Sequence, residues 1–591
     1  MSADPVVQRI IKLSRSDSRV QQHLRYLTKT IGPRLSSSHN LIRAELWARD
    51  QFARWGLESG LEEWGEFAVG FDRGPSSGSM HKDSQPSGTG AIALEFTTDA
   101  WTPGVPGPTR GRAVLAPTTL RDARARMKAN TNTFRDAWLV SVRHTHRNEH
   151  DHAHERQRGG SASETPERLE EFLRTAGSLG YVRADRDTRG ELVHTEGHAT
   201  TSWTNLPKDV RVNLRSDQHS DLLRSLEAGM AVELEFSIDN RFFLGPVKQH
   251  NVIADLVGTE RPEELVIVGG HLDSWDGAQG AVDNATGVAT TMEAARLLVA
   301  SGAKPKRTIR FILWSGEEQG LLGSRAYVDQ NPDILEKISA VFVHDGGTNF
   351  ISGLSVTPEM LPQMQHVFFP VTKLDPERMP FQLYVTEVLR GGGSDHAPFI
   401  DAGVPGFFWG QSGESVYRCM HHTQHDNFAA AVPEYQRHSS VVVAIAAWNI
   451  ANLPDLIDRT DSLPIRRGQI GATLEGLTVI DVQRDGPAER SGWRVGDMIA
   501  EINGEGMENH RDLRRVLRKE SPPTRVTLRR GKRTLRTVLD DSDDNLDPAR
   551  ERRIHRRLRR FGPDIFAGPQ PSPDSLFGDP EASCRPGAGA P

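Results

Sequence analysis

Residues 264–287 read ELVIVGGHLDSWDGAQGAVDNATG, and this stretch decides the fold. It begins with an apolar run of strand length, which ends at two glycines and His271. Three aspartates follow, Asp273, Asp276 and Asp283, and the small residues after the last one let the chain turn into a helix. A buried strand followed by a polar loop and a helix is the repeating unit of a parallel sheet.

Short apolar runs of similar length lie on both sides of this stretch. They are NVIADLVG at 251–258, RTIRFILWSG at 307–316, ISAVFVHDGG at 338–347 and VPGFFWG at 404–410. Helical segments alternate with several of them, notably at 285–302 and 431–453. Strands that alternate with helices predict an α/β fold with a mostly parallel central sheet sandwiched by helices.

The rest of the chain has a different organisation. Residues 18–57 predict two amphipathic helices separated by a Gly-Pro break at 32 and 33. Strand and helix signals are weak from about 105 to 235, which predicts an inserted domain. A module of short strands is predicted at 464–540, and the Asp-, Arg-, Pro- and Gly-rich residues from 541 onward predict a disordered tail.

Composition narrows the class of protein. A chain of 591 residues is too long for one hydrophobic core, so several domains are expected. The formal net charge is -6, from 72 basic and 78 acidic residues, and no basic face indicates a nucleic-acid partner. No uncharged apolar stretch reaches the roughly 18 residues of a membrane-spanning helix. A soluble multi-domain protein is therefore expected.

Two features bear on the cellular compartment. The N-terminal residues alternate charged and apolar side chains and contain no export signal, so the sequence as written predicts a cytoplasmic protein. The two cysteines, Cys419 and Cys584, lie far apart, and the second falls in a tail with little apolar content. We therefore expect no disulfide framework.

Acidic and imidazole side chains collect where the predicted strands end. His271 and Asp273 follow the first strand quoted, Glu317 and Glu318 follow FILWSG, and Asp345 follows AVFVH. The loop after VPGFFWG adds three histidines, at 421, 422 and 425. Ligands of open α/β sheets bind outside the carboxyl ends of the strands. Two imidazoles and three carboxylates from separate loops suit borderline divalent metals such as zinc, and one carboxylate can bridge two ions.

Each of these elements also has a simpler interpretation. His271 and Asp273 alone could form a structural hydrogen bond, and Glu317 with Glu318 could be a charge pair at a helix N-terminus. The segment HHTQHDN could be a solvated loop. Their joint occurrence at the strand ends of one predicted sheet favours a metal centre.

Taken in order, these residues resemble the motif set of the M28 family of co-catalytic zinc exopeptidases. The resemblance rests on His271-Leu-Asp273-Ser, Gly280-Ala-Val-Asp283-Asn, Glu317-Glu318, Asp345 and His422-Thr423. Longer matches at 271–283 and 305–320 are most similar to the family's carboxypeptidase Q branch. The resemblance covers roughly residues 18–100 and 235–455.

The resemblance implies a role for each matching residue. Asp283 would bridge two divalent ions, most simply zinc, with His271 and Asp345 completing one site and Glu318 and His422 the other. Glu317 would be the general base that takes a proton from a bridging water. Many members of the family are exported, in contrast to the cytoplasmic expectation above.

Physical reasoning supports part of this assignment. Adjacent acids cannot both face one metal from an extended segment, so a ligating Glu318 leaves Glu317 directed toward the water. Asp273, two residues beyond a ligating His271, is placed to accept the second ring N–H of that histidine. Asp276 has no ligand role that the sequence defines.

The chain departs from the family pattern at two places. Many relatives have a tyrosine directly before the last histidine ligand, where this chain has His421, so no role for that tyrosine transfers. The His-Thr pattern favours His422 over His421 as the ligand. The segment 391–396, GGGSDH, resembles a family segment near the substrate pocket, and its glycines either permit close approach of substrate or form a flexible loop.

The other predicted domains carry weaker signals. The insertion lies where several relatives have a protease-associated domain, and PTRGRAVLA at 108–116 is weakly similar to the start of that domain. Its histidines at 144, 146, 150, 152 and 154 suggest either metal storage or a solvated loop.

The module at 464–540 resembles a PDZ domain. The resemblance rests on Val479-Ile-Asp-Val482, Asp485-Gly-Pro487-Ala488, Ser491-Gly492, Gly496-Asp497-Met-Ile499 and Ile502-Asn503-Gly504, with a helix expected at 510–520. Ile470-Gly471-Ala472 is expected to hold a peptide carboxylate.

These predictions divide the chain into five parts. They are 1–104 (N-terminal part of the peptidase domain), 105–235 (inserted protease-associated-like domain), 236–456 (catalytic core), 464–541 (PDZ) and 542–591 (disordered tail). The predicted function is a two-zinc exopeptidase acting on short peptides, with amino-terminal, carboxy-terminal and dipeptide specificity all open. The alternative is a catalytically weak or inactive binding protein on the same scaffold that engages peptide C-termini through its PDZ domain.

Overall fold

The structure is a computed structural model of the chain. It describes residues 4–82, 91–142, 166–199, 202–386, 388–459, 471–482, 486–507, 512–513, 516, 524–539 and 584. The histidine-rich stretch at 144–154, Ile470 of the expected carboxylate loop, most of the expected helix at 510–520 and the tail apart from Cys584 lie outside these residues.

The helices alternate with strands as the sequence predicts. Within the described residues the α-helices are α1 (Pro5–Ser16), α2 (Val20–Arg25), α3 (His39–Trp55), α4 (Leu120–Ala129), α5 (Pro166–Thr175), α6 (Ser216–Glu227), α7 (Thr286–Ala300), α8 (Leu322–Gln330), α9 (Leu361–Phe368), α10 (Ala397–Asp401), α11 (Pro433–Ala451) and α12 (Pro487–Arg490). No helix among these residues is both long enough and apolar enough to cross a membrane.

In the part of the chain that the structure describes, the strands fall into three sheets. They are β1 (Glu58–Lys82), β2 (Ile92–Ala93), β3 (Phe96–Thr98), β4 (Thr109–Leu115), β5 (Ala137–Val140), β6 (Gly180–Ala184), β7 (Arg211–Leu214), β8 (Val232–Leu256), β9 (Arg261–His271), β10 (Arg307–Trp314), β11 (Ile338–Val343), β12 (Phe350–Val356), β13 (Gln382–Val385), β14 (Gly406–Phe408), β15 (Gly410–Ser412), β16 (Ala472–Glu475), β17 (Thr478–Val482), β18 (Met498–Ile502), β19 (Glu505–Gly506), β20 (Thr524–Arg530) and β21 (Arg533–Leu539).

The largest sheet contains the predicted parallel strands. Its order is β14-β11-β9-β10-β8-β4-β5-β6-β7-β3, and β1 pairs with β8. The neighbours β14, β11, β9 and β10 are parallel, whereas β8 joins β10 in the antiparallel sense. The predicted α/β fold with a large central sheet is therefore confirmed.

Helices cover both faces of this sheet. Alternate residues of β9 point to opposite sides, and the apolar residues on each side pack against helices. Val266 and Val268 join a core that includes α1, α2, α3, α7 and α11. Leu265 and Ile267 pack on the other face with residues of α8 and α10, such as Tyr327 and Phe399.

The inserted region has its own small core on the same sheet. Parallel strands β4, β5, β6 and β7 extend the sheet beyond β8, with β3 antiparallel to β7 at the edge. Trp138, Val182, Val212 and Phe236 are buried together there. The long strands β1 and β8 link this region to the rest of the sheet, because each runs through both parts.

The C-terminal module forms a separate six-stranded sheet. Its order is β16-β17-β18-β20-β21, with β19 paired to β18. Val479, Ile499, Ile502, Val526 and Leu528 are buried in its core. The predicted β-rich C-terminal module is confirmed.

The two cysteines correct one expectation. Cys419 and Cys584 form a disulfide across a sequence separation of 165 residues. The bond packs against Leu192 of the inserted region, and the Cys584 amide donates to the Glu191 carboxylate at 2.8 Å. The expectation of no disulfide was wrong because cysteines that are distant in sequence can meet once the tail returns to the catalytic region.

Candidate metal centre

Three parallel strands end at the same edge of the sheet and bring the predicted ligands together. Trp314, the last residue of β10, lies opposite His271, the last residue of β9. On the other side Val343 of β11 lies opposite Gly269, so Asp345 falls level with His271. The register of the sheet alone therefore places Asp345 beside His271 and the Glu317–Glu318 turn just beyond them.

The first group of ligand atoms surrounds the His271 ring. His271 Nε2 lies 3.0 Å from Asp345 Oδ1 and 3.2 Å from Asp283 Oδ1. Asp283 reaches this position from the irregular turn 281–285, in which Asp283 and Asn284 both leave helical geometry. Gly287 follows closely, since a Cβ there would approach the His344 carbonyl to 2.2 Å. Small residues after Asp283 are thus needed for the close approach of α7, as the sequence indicated.

The second group lies on the opposite side of Asp283. His422 Nε2 is 2.9 Å from Glu318 Oε2 and 3.3 Å from Asp283 Oδ2. His421 stacks on His422 with ring centroids 3.7 Å apart, but its Nε2 is 3.9 Å from Asp283 Oδ2. His422 therefore lies closer than His421 to the carboxylate of Asp283, and it also contacts Glu318.

These residues provide two groups of side chains whose donor atoms could hold a metal ion. Within the described part of the chain, two groups have ligand atoms that all lie within 4.8 Å of one another. One consists of His271, Asp283 and Asp345, and the other of Asp283, His421 and His422. Imidazole nitrogen and carboxylate oxygen are the donors that zinc accepts, and Asp283 belongs to both groups.

Charge pairing dominates the electrostatics of the metal-free site. Burial lowers the pKa of His271, but Asp345 and Glu317 outweigh it and leave that pKa well above 6.5. Burial also opposes the charged form of His422, yet Glu318 and Asp283 raise its pKa to about 10. Burial works against ionised Asp283, but hydrogen bonds from His271 and His422 hold its pKa well below 3.8. Two imidazolium groups therefore compensate the carboxylates in this state.

The adjacent glutamates differ in surroundings. Burial raises the pKa of Glu318 to about 7, although His422 opposes this shift. Burial raises the pKa of Glu317 well above 4.5, with Asp345 and Asp395 adding to the effect and His271 opposing it. The Glu317 backbone amide donates to Asp273 Oδ1 at 3.3 Å, whereas the Glu318 carboxylate lies 2.9 Å from His422 Nε2.

Asp273 makes different contacts from those predicted. The His271 Nδ1 atom lies 3.0 Å from the backbone carbonyl of Asp273 and 3.7 Å from its carboxylate. The carboxylate instead accepts from the backbone amides of Glu317 and Glu318, each at 3.3 Å. Asp273 thus orients His271 through its main chain and the two glutamates through its side chain.

Asp276, for which the sequence defined no ligand role, and its neighbour Trp275 anchor the loop between His271 and Asp283. Asp276 forms an ion pair with Arg73 of β1 at 2.9 Å, and both side chains are buried. The Trp275 ring lies 6.3 Å from Trp101 and 5.9 Å from His422, edge to face in both cases.

Two further residues were missed because only the fold brings them to the site. Arg34 is fully buried and donates to the carbonyls of Leu272 and Gly280 at 2.7 Å each. Asp426 accepts from the amides of Val282 and Asp283 at 2.5 and 3.3 Å. Together they hold both ends of the loop, and no signal in the sequence distinguishes them from ordinary charged residues.

The remaining predicted residues take different places. His425 belongs to neither ligand group among the described residues. Asp395 of the GGGSDH segment is fully buried, and burial raises its pKa to about 8 while His271 opposes the shift. Its glycines, 391–393, are exposed, and their role in substrate approach stays open.

A narrow cleft opens at the second ligand group. Its wall combines the His271–Asp283 loop, the loop of His422 and one residue of the inserted region. The lining residues are Thr195, Trp275, Gly277, Ala278, Asp283, Glu318, His422, Thr423 and Asp426. A small substrate entering this cleft would meet Asp283, Glu318 and His422 directly.

Two family models match the chain, one over the region that carries the candidate ligands and one over the C-terminal module. The family model described as peptidase family M28 matches residues 251–446, and the model described as PDZ domain matches residues 461–529. The chain thus contains a region that matches M28 peptidases and a C-terminal region that matches PDZ domains.

Individual proteins show the same relationship. Carboxypeptidase Q of Mus musculus is 32% identical over 218 residues, which cover 36% of this chain and 43% of the relative. Carboxypeptidase Q of Homo sapiens is 33% identical over 215 residues, with the same coverage of 36% and 43%. The chain therefore spans less than half the length of these relatives.

A solved structure supports the fold. The crystal structure of a peptidase M28 precursor from Shewanella amazonensis SB2B superposes with a TM-score of 0.53 at 24% identity. The superposition covers 78% of this chain and 98% of that one. The predicted relationship to M28 peptidases, with carboxypeptidase Q among the similar proteins, is confirmed.

Proposed function

We propose that this chain is a co-catalytic two-metal exopeptidase that hydrolyses a terminal peptide bond of short peptides or dipeptides. The observation that carries the proposal is the position of Asp283 between the two imidazoles. Its Oδ1 is 3.2 Å from His271 Nε2, and its Oδ2 is 3.3 Å from His422 Nε2. A single carboxylate that faces two ligand groups is the arrangement expected of a bridging ligand.

Five residues would hold the ions, most simply two Zn²⁺. His271 and Asp345 would complete one site with Asp283, and Glu318 and His422 would complete the other. When bound, the ions would polarise the scissile carbonyl and acidify a water between them.

Glu317 would act as the general base. It adjoins Glu318 but makes no side-chain contact with the imidazoles of the kind Glu318 makes, which leaves its carboxylate for proton transfer. It would accept a proton from the attacking water and donate it to the leaving amine as the peptide C–N bond breaks. The raised pKa of Glu317 suits a group that must accept a proton and then give it up.

Asp273 would support this step through geometry. Its carboxylate accepts from the amides of Glu317 and Glu318, so it orders the turn that presents both side chains. Its carbonyl accepts from His271 Nδ1, which leaves Nε2 directed at Asp283 and Asp345.

The relatives are consistent with this function. Carboxypeptidase Q is named for removal of a carboxy-terminal residue, and the matched stretch of this chain carries all five proposed ligands and Glu317. The PDZ region would engage peptide C-termini by adding them as a strand, and so concentrate chain ends near the enzyme.

The cellular compartment follows from a different observation. The Cys419–Cys584 disulfide favours an oxidising compartment over the cytoplasm. We therefore propose that the protein works where disulfides persist.

The test is a panel of dipeptides with free and blocked ends, offered to the zinc-loaded full-length protein. We expect hydrolysis of at least one free-ended class, and the pattern of blocked ends identifies which terminus is read. The Glu317→Gln variant should keep both ions and lose about 10²–10⁴-fold in turnover. Glu336→Gln, on an exposed surface turn, is the matched control and should retain activity.

Two results would count against the proposal. Undiminished turnover in Glu317→Gln with both ions bound would remove Glu317 from the mechanism. A zinc-loaded wild type that cleaves no member of the panel would favour the inactive binding protein instead.

A further inference from the structure

The loop that carries His422 contacts the catalytic region through Asp426, which accepts from the Val282 and Asp283 amides, but His422 itself lies in a stretch with little regular structure. Between β15 and α11 its described residues form only short turns, at Tyr417–Cys419 and Phe428–Ala430. His422 also has a backbone φ of 59°, in the left-handed region that side chains other than glycine rarely adopt. A ligand in such a conformation needs contacts that hold the backbone in place.

The inserted region supplies those contacts through a segment at residues 191–196. The Thr195 amide donates to the His422 carbonyl at 2.8 Å, and the Gln424 amide donates to the Val193 carbonyl at 3.1 Å. His194 and Thr423 form an antiparallel β-bridge between these two bonds. The loop of His422 is therefore paired with a strand-like edge of the inserted region.

The Gln424 side chain strengthens the pairing. Its Oε1 accepts from the Val193 amide at 2.7 Å. Its Nε2 donates to the Glu191 carbonyl at 3.1 Å and to Glu95 Oε1 at 3.0 Å. The amide oxygen thus faces Val193, and the amide nitrogen faces Glu191 and Glu95. These partners fix the orientation of the amide, because one side needs an acceptor and the other a donor.

The segment is itself fixed within the inserted region. The His194 amide and ring Nδ1 contact the two oxygens of Asp185 at 2.7 and 2.8 Å. The amides of Glu191 and Leu192 donate to Asp187 Oδ2 at 2.7 and 2.9 Å. A displacement of the inserted region would therefore also displace the His422 backbone.

We propose that Gln424 is a positioning residue for the metal ligand His422, and that the inserted region is through this contact a working part of the metal centre. The inference rests on the proposed two-metal function and adds to it a dependence of one ion on a distant domain. The affinity for the ion held by Glu318 and His422 depends on Gln424.

The test measures zinc affinity directly, so it does not depend on catalysis. Metal-free full-length protein is titrated with Zn²⁺ in competition with a chromophoric chelator. Gln424→Glu places an oxygen against the Glu191 carbonyl and the Glu95 carboxylate, and should weaken one of the two zinc equivalents about 10–100-fold. Gln424→Asn keeps donor and acceptor on a shorter side chain and should give a smaller loss at the same equivalent.

Gln218→Glu is the matched control. Gln218 makes the same kind of amide clamp inside the inserted region, with Nε2 donating to the Ala93 carbonyl and Oε1 accepting from the Glu95 amide, both at 2.8 Å. Among the described residues its side-chain hydrogen bonds go to Ala93 and Glu95 and not to the His422 loop. Both zinc affinities should stay at the wild-type values in this variant, even if its melting temperature falls.

The outcomes separate this inference from the proposed function. A wild type that binds fewer than two zinc ions contradicts the two-metal function itself. Two unchanged zinc affinities in folded Gln424→Glu and Gln424→Asn, beside a two-zinc wild type, would overturn the positioning role alone. An equal loss at both equivalents, or the same loss in Gln218→Glu, would show a general effect on stability and would also overturn it.

Discussion

Asp283 differs from the other carboxylates of the site because its two oxygens face different imidazoles. His271 and His422 both keep raised pKa values in the metal-free state, so each can carry a positive charge beside one oxygen of Asp283. The two charges hold Asp283 ionised although it is buried.

The opening stretch shows how far residue-level prediction reaches. The position of His271 directly after a predicted strand singled it out as a candidate ligand, whereas the role of Asp283 came from the resemblance to the M28 family. The partner of Asp276 could not be read in this way, since Arg73 lies on β1 and meets it only after β1 pairs with β8. The sequence predicted a contact between His271 and the Asp273 side chain. In the structure the His271 ring instead lies closest to the Asp273 backbone carbonyl.

The Arg73–Asp276 ion pair gives a prediction at this scale. The two side chains are 10% and 4% exposed, so removing one partner leaves a buried charge uncompensated. Arg73→Met should lower the free energy of unfolding by about 3–5 kcal/mol, whereas Arg73→Met with Asp276→Leu should recover most of the loss. Denaturant unfolding of the three proteins measures both effects.

An exposed ion pair serves as the control for that experiment. Arg241 and Asp239 pair at 2.7 Å with side chains 72% and 41% exposed, so Arg241→Met should change stability little. A double variant no more stable than Arg73→Met would show that the loss does not come from an uncompensated charge.

At the scale of elements, apolar runs were predicted well and long polar strands were not. Strands β9, β10 and β11 follow their hydrophobic runs closely, because they are buried on both faces. By contrast, the Gly-, Ser- and Pro-rich residues after Arg73 continue β1 as far as Lys82. Pairing with β8 decides their conformation, and such a long-range partner is invisible to local propensity.

Helix α11 supplies a prediction about pH. His438 lies on this helix, and burial lowers the pKa of its imidazole from 6.5 to about 4. Between pH 6.5 and about pH 4, His438 binds a proton in the unfolded chain but not in the folded chain. Stability should therefore fall on acidification by about 1.4 kcal/mol per pH unit from this residue.

The variant His438→Leu isolates this contribution. Urea unfolding at pH 7, 6 and 5 should show a shallower loss of stability in the variant than in the wild type. Parallel stability curves for the two proteins would mean that His438 is already protonated in the folded state or does not contribute.

At the scale of the whole molecule, the catalytic and inserted regions share one sheet. Strands β1 and β8 run through both, and the segment 191–196 returns to pair with the loop of His422. The sequence predicted an insertion from its weak signals, but its contribution to the cleft depends on pairing between distant residues. The same holds for the disulfide, which joins the tail to the loop of His422.

The disulfide gives a prediction at this scale. Peptide mapping of the unreduced protein should recover Cys419 linked to Cys584. Cys584→Ser should be less stable than the oxidised wild type by about 2–4 kcal/mol, because it loses a long-range cross-link. A reductant should lower the melting temperature of the wild type and leave that of the variant unchanged. Two free thiols in the denatured, unreduced wild type would contradict the pairing.

The measurement that tests the central claim most directly is a calorimetric zinc titration of the metal-free full-length protein. The wild type should bind two ions per chain, His422→Ala and Asp345→Ala should each lose one, and Asp283→Ala should lose both. Two ions bound by Asp283→Ala with wild-type affinity, or a single ion bound by the wild type, would contradict a centre built on a shared aspartate.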